Sequence, residues 1–142
     1  MHQVVEFATN HIALVSVFVV LLVAVFYQEM LISGIKEQLS LPKAVDFINN
    51  DQALVLDVRS RSMFEGGHIV GAKSVTLSQL KKTPEEFIEK MEDPVLLVCA
   101  KGTNTGSLAY QLKQQGYSQV KVLAGGMARW AEDGMPVAKG KK

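Results

Sequence analysis

The most conspicuous pattern along the chain is an apolar run without a polar face. Ile12 to Tyr27 reads IALVSVFVVLLVAVFY, with Ser16 its only polar residue and no charge. At about 1.5 Å per residue the run spans roughly 24 Å, slightly short of a hydrocarbon core of about 30 Å. Phe7 and Ala8 on one side and Met30 to Ile32 on the other can lengthen it. A buried core helix would keep a polar stripe, which is missing here. A cleavable signal peptide would need a basic start and a small-x-small cleavage site. No Lys or Arg precedes the run, and Gln28-Glu29-Met30-Leu31 offers no such site. The pattern predicts one transmembrane helix within an anchor of residues 1–32, in contact with lipid through residues 12–27 and with Tyr27 near an interface.

Beyond Ser33 the pattern changes to short aliphatic runs alternating with helical stretches, the look of an α/β domain. Ser33 and Gly34 predict a break, and residues 33–39 a linker. Ser40-Leu41-Pro42 opens a helix through about Asn49. Leu54 to Val58 predicts a strand, and Ser74 to Thr76 a weaker one. Thr83-Pro84-Glu85-Glu86 reads as a capping box with proline at the first helical position, giving a helix to about Met91. Val95 to Cys99 (VLLVC) is apolar on both faces, as a central parallel strand should be. A helix from about Thr105 to Gln115 follows, closed by Gly116. Val120 to Leu123 is the next strand, Met127 to about Asp133 a last short helix, and residues 139–142 a solvated basic tail.

Composition sharpens this reading at three points. The 142 residues carry 15 Lys+Arg against 14 Asp+Glu, a net charge of +1, so the basic surplus expected of a nucleic-acid protein is absent. The first basic side chains after the run are Lys36 and Lys43. By the positive-inside rule they place the bulk of the chain on the cytoplasmic side, as in a single-pass protein of a bacterial inner membrane. A single cysteine excludes an internal disulfide, and the scattered histidines give no metal site.

That cysteine stands where chemistry is concentrated in open α/β sheets. Cys99-Ala100-Lys101-Gly102-Thr103-Asn104-Thr105 links the carboxyl end of the central strand to a helix. A tight loop there can turn several backbone N–H groups inward as an anion cradle, and a cysteine at its mouth is set up to react as a thiolate. The competing reading is a small buried hydrophobe at a strand end.

Three segments together resemble the rhodanese-like (sulfurtransferase) domain family. Leu54-Val55-Leu56-Asp57-Val58-Arg59 with Gly67-His68-Ile69-Val70-Gly71-Ala72 is similar to its strand-Asp-x-Arg and Gly-His-Ile-x-Gly-Ala signatures. The Cys99 to Thr105 loop matches Cys-x-x-Gly before a helix. Gly125-Gly126-Met127-Ala128-Arg129-Trp130 resembles its Gly-Gly-x-x-x-Trp ending. The resemblance implies a three-layer α/β fold with a central parallel five-stranded sheet over residues 40–138. It also implies sulfane-sulfur transfer from a small donor such as thiosulfate to a thiol or cyanide, with no cofactor beyond a cysteine persulfide. Matching positions make Cys99 the nucleophile and Ala100, Lys101, Gly102, Thr103 and Asn104 the substrate-binding loop.

Departures from the family pattern limit the expectation. Many members carry Arg at the place of Asn104, Glu at that of Met63 and Pro at that of Val70. Related phosphatases need an Arg where Thr105 stands, which argues against phosphate ester chemistry. Asp57 and Arg59 are expected to pair at the strand end or to tether the loop. His68 is expected to bond backbone in a turn, with direct support of the chemistry as the lesser role. Trp130 should anchor the last helix in the core. An alternative function is a membrane-tethered adaptor that uses this fold to bind a membrane or cytoplasmic protein, with Cys99 incidental. A thiol redox sensor is a third.

Overall fold

The computed structural model describes residue 7, residues 10–103 and residues 105–141, with side chains of residues 30–36 left aside. The chain divides into two units, residues 1–33 and 34–142.

The first unit is dominated by helix α1 (Ile12–Lys36). Its 18-residue window Ile12–Glu29 has a mean hydropathy of 2.3 and no buried share, so it is long and apolar enough to cross a membrane. The break expected at Ser33-Gly34 does not occur, because helix continues to Lys36. One glycine costs a helix only about 1 kcal/mol, too little to end a long one without proline.

The second unit is built on a five-stranded parallel sheet ordered β1-β6-β5-β2-β4. Its strands are β1 (Gln38–Leu39), β2 (Leu54–Asp57), β4 (Lys73–Ser74), β5 (Val95–Val98) and β6 (Val120–Leu123). Two further strands, β3 (His68–Ile69) and β7 (Val137–Ala138), form a separate antiparallel pair. The period-2 alternation of side chains divides the core into two layers. Leu56, Val95, Leu97, Cys99 and Val122 face one side, where helices α4 (Leu77–Lys82) and α5 (Gly106–Gln114) bring Leu80, Leu108 and Leu112. Val55, Leu96, Val98 and Leu123 face the other, against Phe47 of α2 (Leu41–Asn49), Phe64 of α3 (Arg61–Gly66) and Trp130 of α6 (Gly126–Glu132). The result is the three-layer α/β arrangement with the five-stranded sheet in the middle. All four residues of β5 are fully buried, as their unbroken apolar run requires.

Three local expectations are corrected. The helix predicted from Thr83 to Met91 is only a 3-10 turn, Pro84–Glu86. Thr83 already terminates α4 and has φ −136° and ψ 61°, without a side-chain capping bond. The real capping box lies earlier: Thr76 Oγ1 accepts from Gln79 N–H, and Gln79 Oε1 accepts from Thr76 N–H. The weaker strand accordingly ends at Ser74, because Thr76 is a cap. The supposed linker also ends in a strand of the sheet. β1 pairs with β6, Gln38 beside Val122 and Leu39 beside Leu123.

Just before β1, Glu37 accepts from both Lys121 (2.8 Å) and Lys113, tying the edge strand to β6 and α5. Partial burial alone would raise the Glu37 carboxyl, but the two lysine hydrogen bonds and their charge outweigh it and hold the group below the ordinary carboxylate range. A lowered native value means stability that is present above the unfolded value and lost as pH falls through the native one. Glu37→Gln should therefore cost about 1 kcal/mol or less in urea denaturation of the detergent-solubilised chain at neutral pH. The gap from wild type should close in acid, below the ordinary glutamate range. A gap that stays constant down to that pH would show that the carboxylate charge is not what stabilises β1.

Candidate active site

Strand β5 delivers Cys99 to the carboxyl edge of the sheet, and α5 begins seven residues later at Gly106. Alternation turns the Cys99 side chain toward the α5 layer, where it is 7% exposed. Among the described residues, two donors reach its sulfur. Gly102 N–H lies 2.8 Å from Cys99 Sγ, and the fully buried Thr105 hydroxyl lies 3.7 Å from it. Gly102 has φ 78°, the left-handed conformation that folds the loop back over the sulfur. These donors favour a sulfur that carries negative charge, which is the requirement of a thiolate nucleophile.

The loop is held from outside by the start of α6. Met127 N–H donates to Cys99 O at 2.8 Å, and Ala128 N–H donates to Ala100 O at 3.0 Å. These are first-turn amides that have no partner inside their own helix, so one contact satisfies helix end and loop together. Such an approach requires that Gly126 lack a side chain. A Cβ there would stand 2.2 Å from Cys99 O, on a backbone with φ 58°. Gly102 is confined in a similar way, since a Cβ on it would stand 2.8 Å from Gly125 N.

Of the loop residues expected to bind substrate, Gly102 meets the sulfur and Ala100 serves as an anchor. Lys101 and Thr103 are exposed, and Lys101 has no partner among the described residues. Asn104 lies outside the described residues. Thr105, outside the expected loop, is the further residue at the sulfur, and its place six residues after Cys99 at the opening of a helix is the sequence signal for its hydroxyl.

The three supporting candidates are not gathered at the sulfur. Asp57 and Arg59 form a buried pair, with Arg59 Nη2 to Asp57 Oδ2 at 2.7 Å and Arg59 Nε to Asp57 Oδ1 at 3.0 Å. The guanidinium also donates to Gly67 O at 2.7 Å, so it closes the β2–α3 segment onto the turn before β3. His68 Nδ1 lies 2.8 Å from Phe64 O, and its ring stacks on Phe64 with centroids 3.8 Å apart. Phe64 belongs to the core layer opposite that of Cys99. Among the described residues no group of three or more His, Cys, Asp or Glu could hold a metal ion.

The glycine requirement gives a direct test. Gly126→Ala should destabilise the second unit by at least about 3 kcal/mol, from steric overlap with Cys99 O and from a left-handed backbone. Ala128→Gly, which keeps the loop hydrogen bond, should cost about 1 kcal/mol. Comparable small losses for both in chemical denaturation would refute the close approach.

Comparison with known proteins agrees with this geometry. The rhodanese-like domain model matches residues 40–133. The uncharacterized protein YibN of Escherichia coli (strain K12) is 33% identical over 144 residues, covering 99% of this chain and 100% of its own. The thiosulfate sulfurtransferase GlpE of Coxiella burnetii (strain RSA 331 / Henzerling II) is 31% identical over 96 residues, 66% of this chain and 86% of that relative. The solved structure of the human single-domain sulfurtransferase TSTD1 superposes with a TM-score of 0.60 at 26% identity, over 68% of this chain and 96% of that one. With its central parallel sheet, its Cys99 loop and a family match over most of its length, the chain belongs to the rhodanese-like domain family.

Proposed function

We propose that this protein is a membrane-anchored sulfurtransferase that moves sulfane sulfur through a persulfide on Cys99. The observation that carries the reading is the pair of donors on one sulfur, the Gly102 amide at 2.8 Å and the Thr105 hydroxyl at 3.7 Å. In the first half-reaction the Cys99 thiolate attacks the outer sulfur of thiosulfate. A Cys99 S–S bond forms, the thiosulfate S–S bond breaks, and sulfite leaves with the electron pair. The persulfide is anionic, and amides fixed before the reaction stabilise it without reorganisation. In the second half-reaction a thiolate or cyanide attacks the sulfane sulfur, and the electron pair of the broken bond returns to Cys99 Sγ. No cofactor enters either step. Lys101, exposed and unpaired among the described residues, favours an anionic donor. The likeness to the thiosulfate sulfurtransferase of Coxiella burnetii supports thiosulfate as that donor.

Helix α1 supports a location at the membrane. The apolar window Ile12–Glu29 supports a single span, and Lys36 and Lys43 after it support a cytoplasmic domain.

Two experiments test these readings. Incubation of the full-length chain with thiosulfate, followed by intact mass measurement, should show a gain of one sulfur atom in wild type and none in Cys99→Ser. A wild-type protein that gains no sulfur and forms no thiocyanate with cyanide would leave Cys99 incidental and favour the adaptor function. Carbonate washing of membranes should leave the chain in the pellet; release into the supernatant would exclude a spanning helix.

A further inference from the structure

The antiparallel pair β3–β7 carries an apolar strip that the core does not take up. Val70, directly after β3, is 61% exposed, and Val137 of β7 is 43% exposed. Val137 stands beside Ile69 in the register, so Val70 and Pro136 continue the same pair of chains by one residue. Val70 and Pro136 also line a cavity of about 160 Å³ that has no charged residue in its lining. Contiguous apolar surface left in water is costly, and it marks a place where something else is met.

The same ribbon runs directly into cations. Lys139, Lys141 and Lys142 follow β7, and the two segments that form the ribbon, residues 66–72 and 135–142, contain no acidic residue. The tail reads as solvated in sequence, yet its backbone is fastened to α3. Gly140 N–H donates to Glu65 O at 3.0 Å, and Arg61 Nη2 donates to Lys141 O at 3.4 Å. The lysine side chains are not used in this attachment. Lys139 and Lys141 are exposed, and neither makes an ion pair among the described residues. The carboxylate beside the tail, that of Glu65, is engaged by Arg61 at 2.9 Å. The result is an apolar strip with free cations held next to it.

That combination matches a bilayer with anionic headgroups, which offers negative charge over a plane and apolar depth directly beneath it. We propose that the β3–β7 ribbon rests on the anionic surface of a membrane, with Val70 and Val137 entering the interfacial region and Lys139 and Lys141 meeting lipid phosphates. A nucleic acid or an acidic peptide would meet the charge but leave the apolar strip in water. The inference rests on the anchoring proposed above. A chain held on a bilayer by α1 presents its remaining surface to lipid at high effective concentration. Two apolar side chains and two lysines then suffice for a contact that would be weak between separate molecules.

Trp130, the only tryptophan of the chain, provides the test. It lines the same cavity, and its Nε1–H donates to Pro136 O at 3.0 Å, so its fluorescence reports on the strip. The full-length chain is reconstituted into phosphatidylcholine vesicles with brominated acyl chains, with or without phosphatidylglycerol, at constant bromine content. Quenching of Trp130 should be about twofold stronger with the anionic lipid, and high salt should remove the difference. Lys139→Gln combined with Lys141→Gln should reduce quenching on anionic vesicles to the level on neutral ones. Val70→Ser combined with Val137→Ser should also lower it there, with circular dichroism unchanged. Quenching that is equal on both compositions and indifferent to the lysine variant would overturn the proposal. So would an emission that shifts with the protein-to-lipid ratio and not with lipid charge, which would assign the strip to a second copy of the chain. Flotation of the vesicles after carbonate washing tests the anchor separately. If the chain is washed off, anchoring has failed, and wild type is mixed with preformed vesicles instead. Quenching on the anionic ones alone then still supports the surface, and quenching on neither refutes it.

Discussion

The hydrogen bonds from Met127 and Ala128 N–H to the carbonyls of Cys99 and Ala100 are the constraint on which the site depends. They join the end of the central strand to the start of the last helix, two places far apart in sequence. Everything nearby follows from the closeness they impose. Gly126 must lack a Cβ, Gly125 and Gly102 must pack backbone to backbone, and Gly102 must adopt a left-handed turn that points its amide at sulfur. A loop held in this manner does not need to reorganise when charge appears on Cys99, which is how fixed dipoles contribute to catalysis. The family's paired glycines near the carboxyl end thus serve the cysteine loop as much as the turn in which they sit.

Membership of the family and the identity of the chain are separable here. The family match covers residues 40–133, yet the sheet is not complete without Gln38 and Leu39, and Glu37 fastens that edge to α5 and β6. The edge strand therefore comes from the segment that immediately follows α1. The buried Asp57–Arg59 pair does comparable work on the opposite side of the central strand, closing a turn onto Gly67. Neither ion pair touches the sulfur; each fixes an element that frames it.

Much of this was legible in the sequence because strong patterns carry their own physical reason. An apolar run with no polar face, no basic start and no cleavage site reads as a span, and VLLVC reads as a strand covered on both sides. The alternation within that strand also decides that Cys99 faces the α5 layer. What stayed illegible depends on tertiary context. Thr76 and Thr83 both look like helix caps, and only the course of the chain shows that Thr83 ends one helix and does not begin another. Gln38 and Leu39 are too few to register as a strand, since their pairing is specified by β6 and not by their own propensity. His68 occupies a family signature, and its contact with Phe64 shows that this signature serves packing in this chain. The role of the Thr105 hydroxyl is illegible in sequence because it depends on how the loop folds its side chain back toward Cys99 Sγ.

The pairing of β1 with β6 has a consequence for how the domain is made. Glu37 and Lys121 are 84 residues apart, and the strands beside them are joined edge to edge. During synthesis α1 and β1 leave the ribosome well before β6, the strand that receives β1. Contacts of such long sequence separation form late, after the entropy of closing the intervening chain has been overcome. The nascent protein accordingly holds an unpaired strand next to an apolar helix until β6 has emerged. Brevity and a polar glutamine at its start protect that strand from pairing with the wrong neighbour in the meantime.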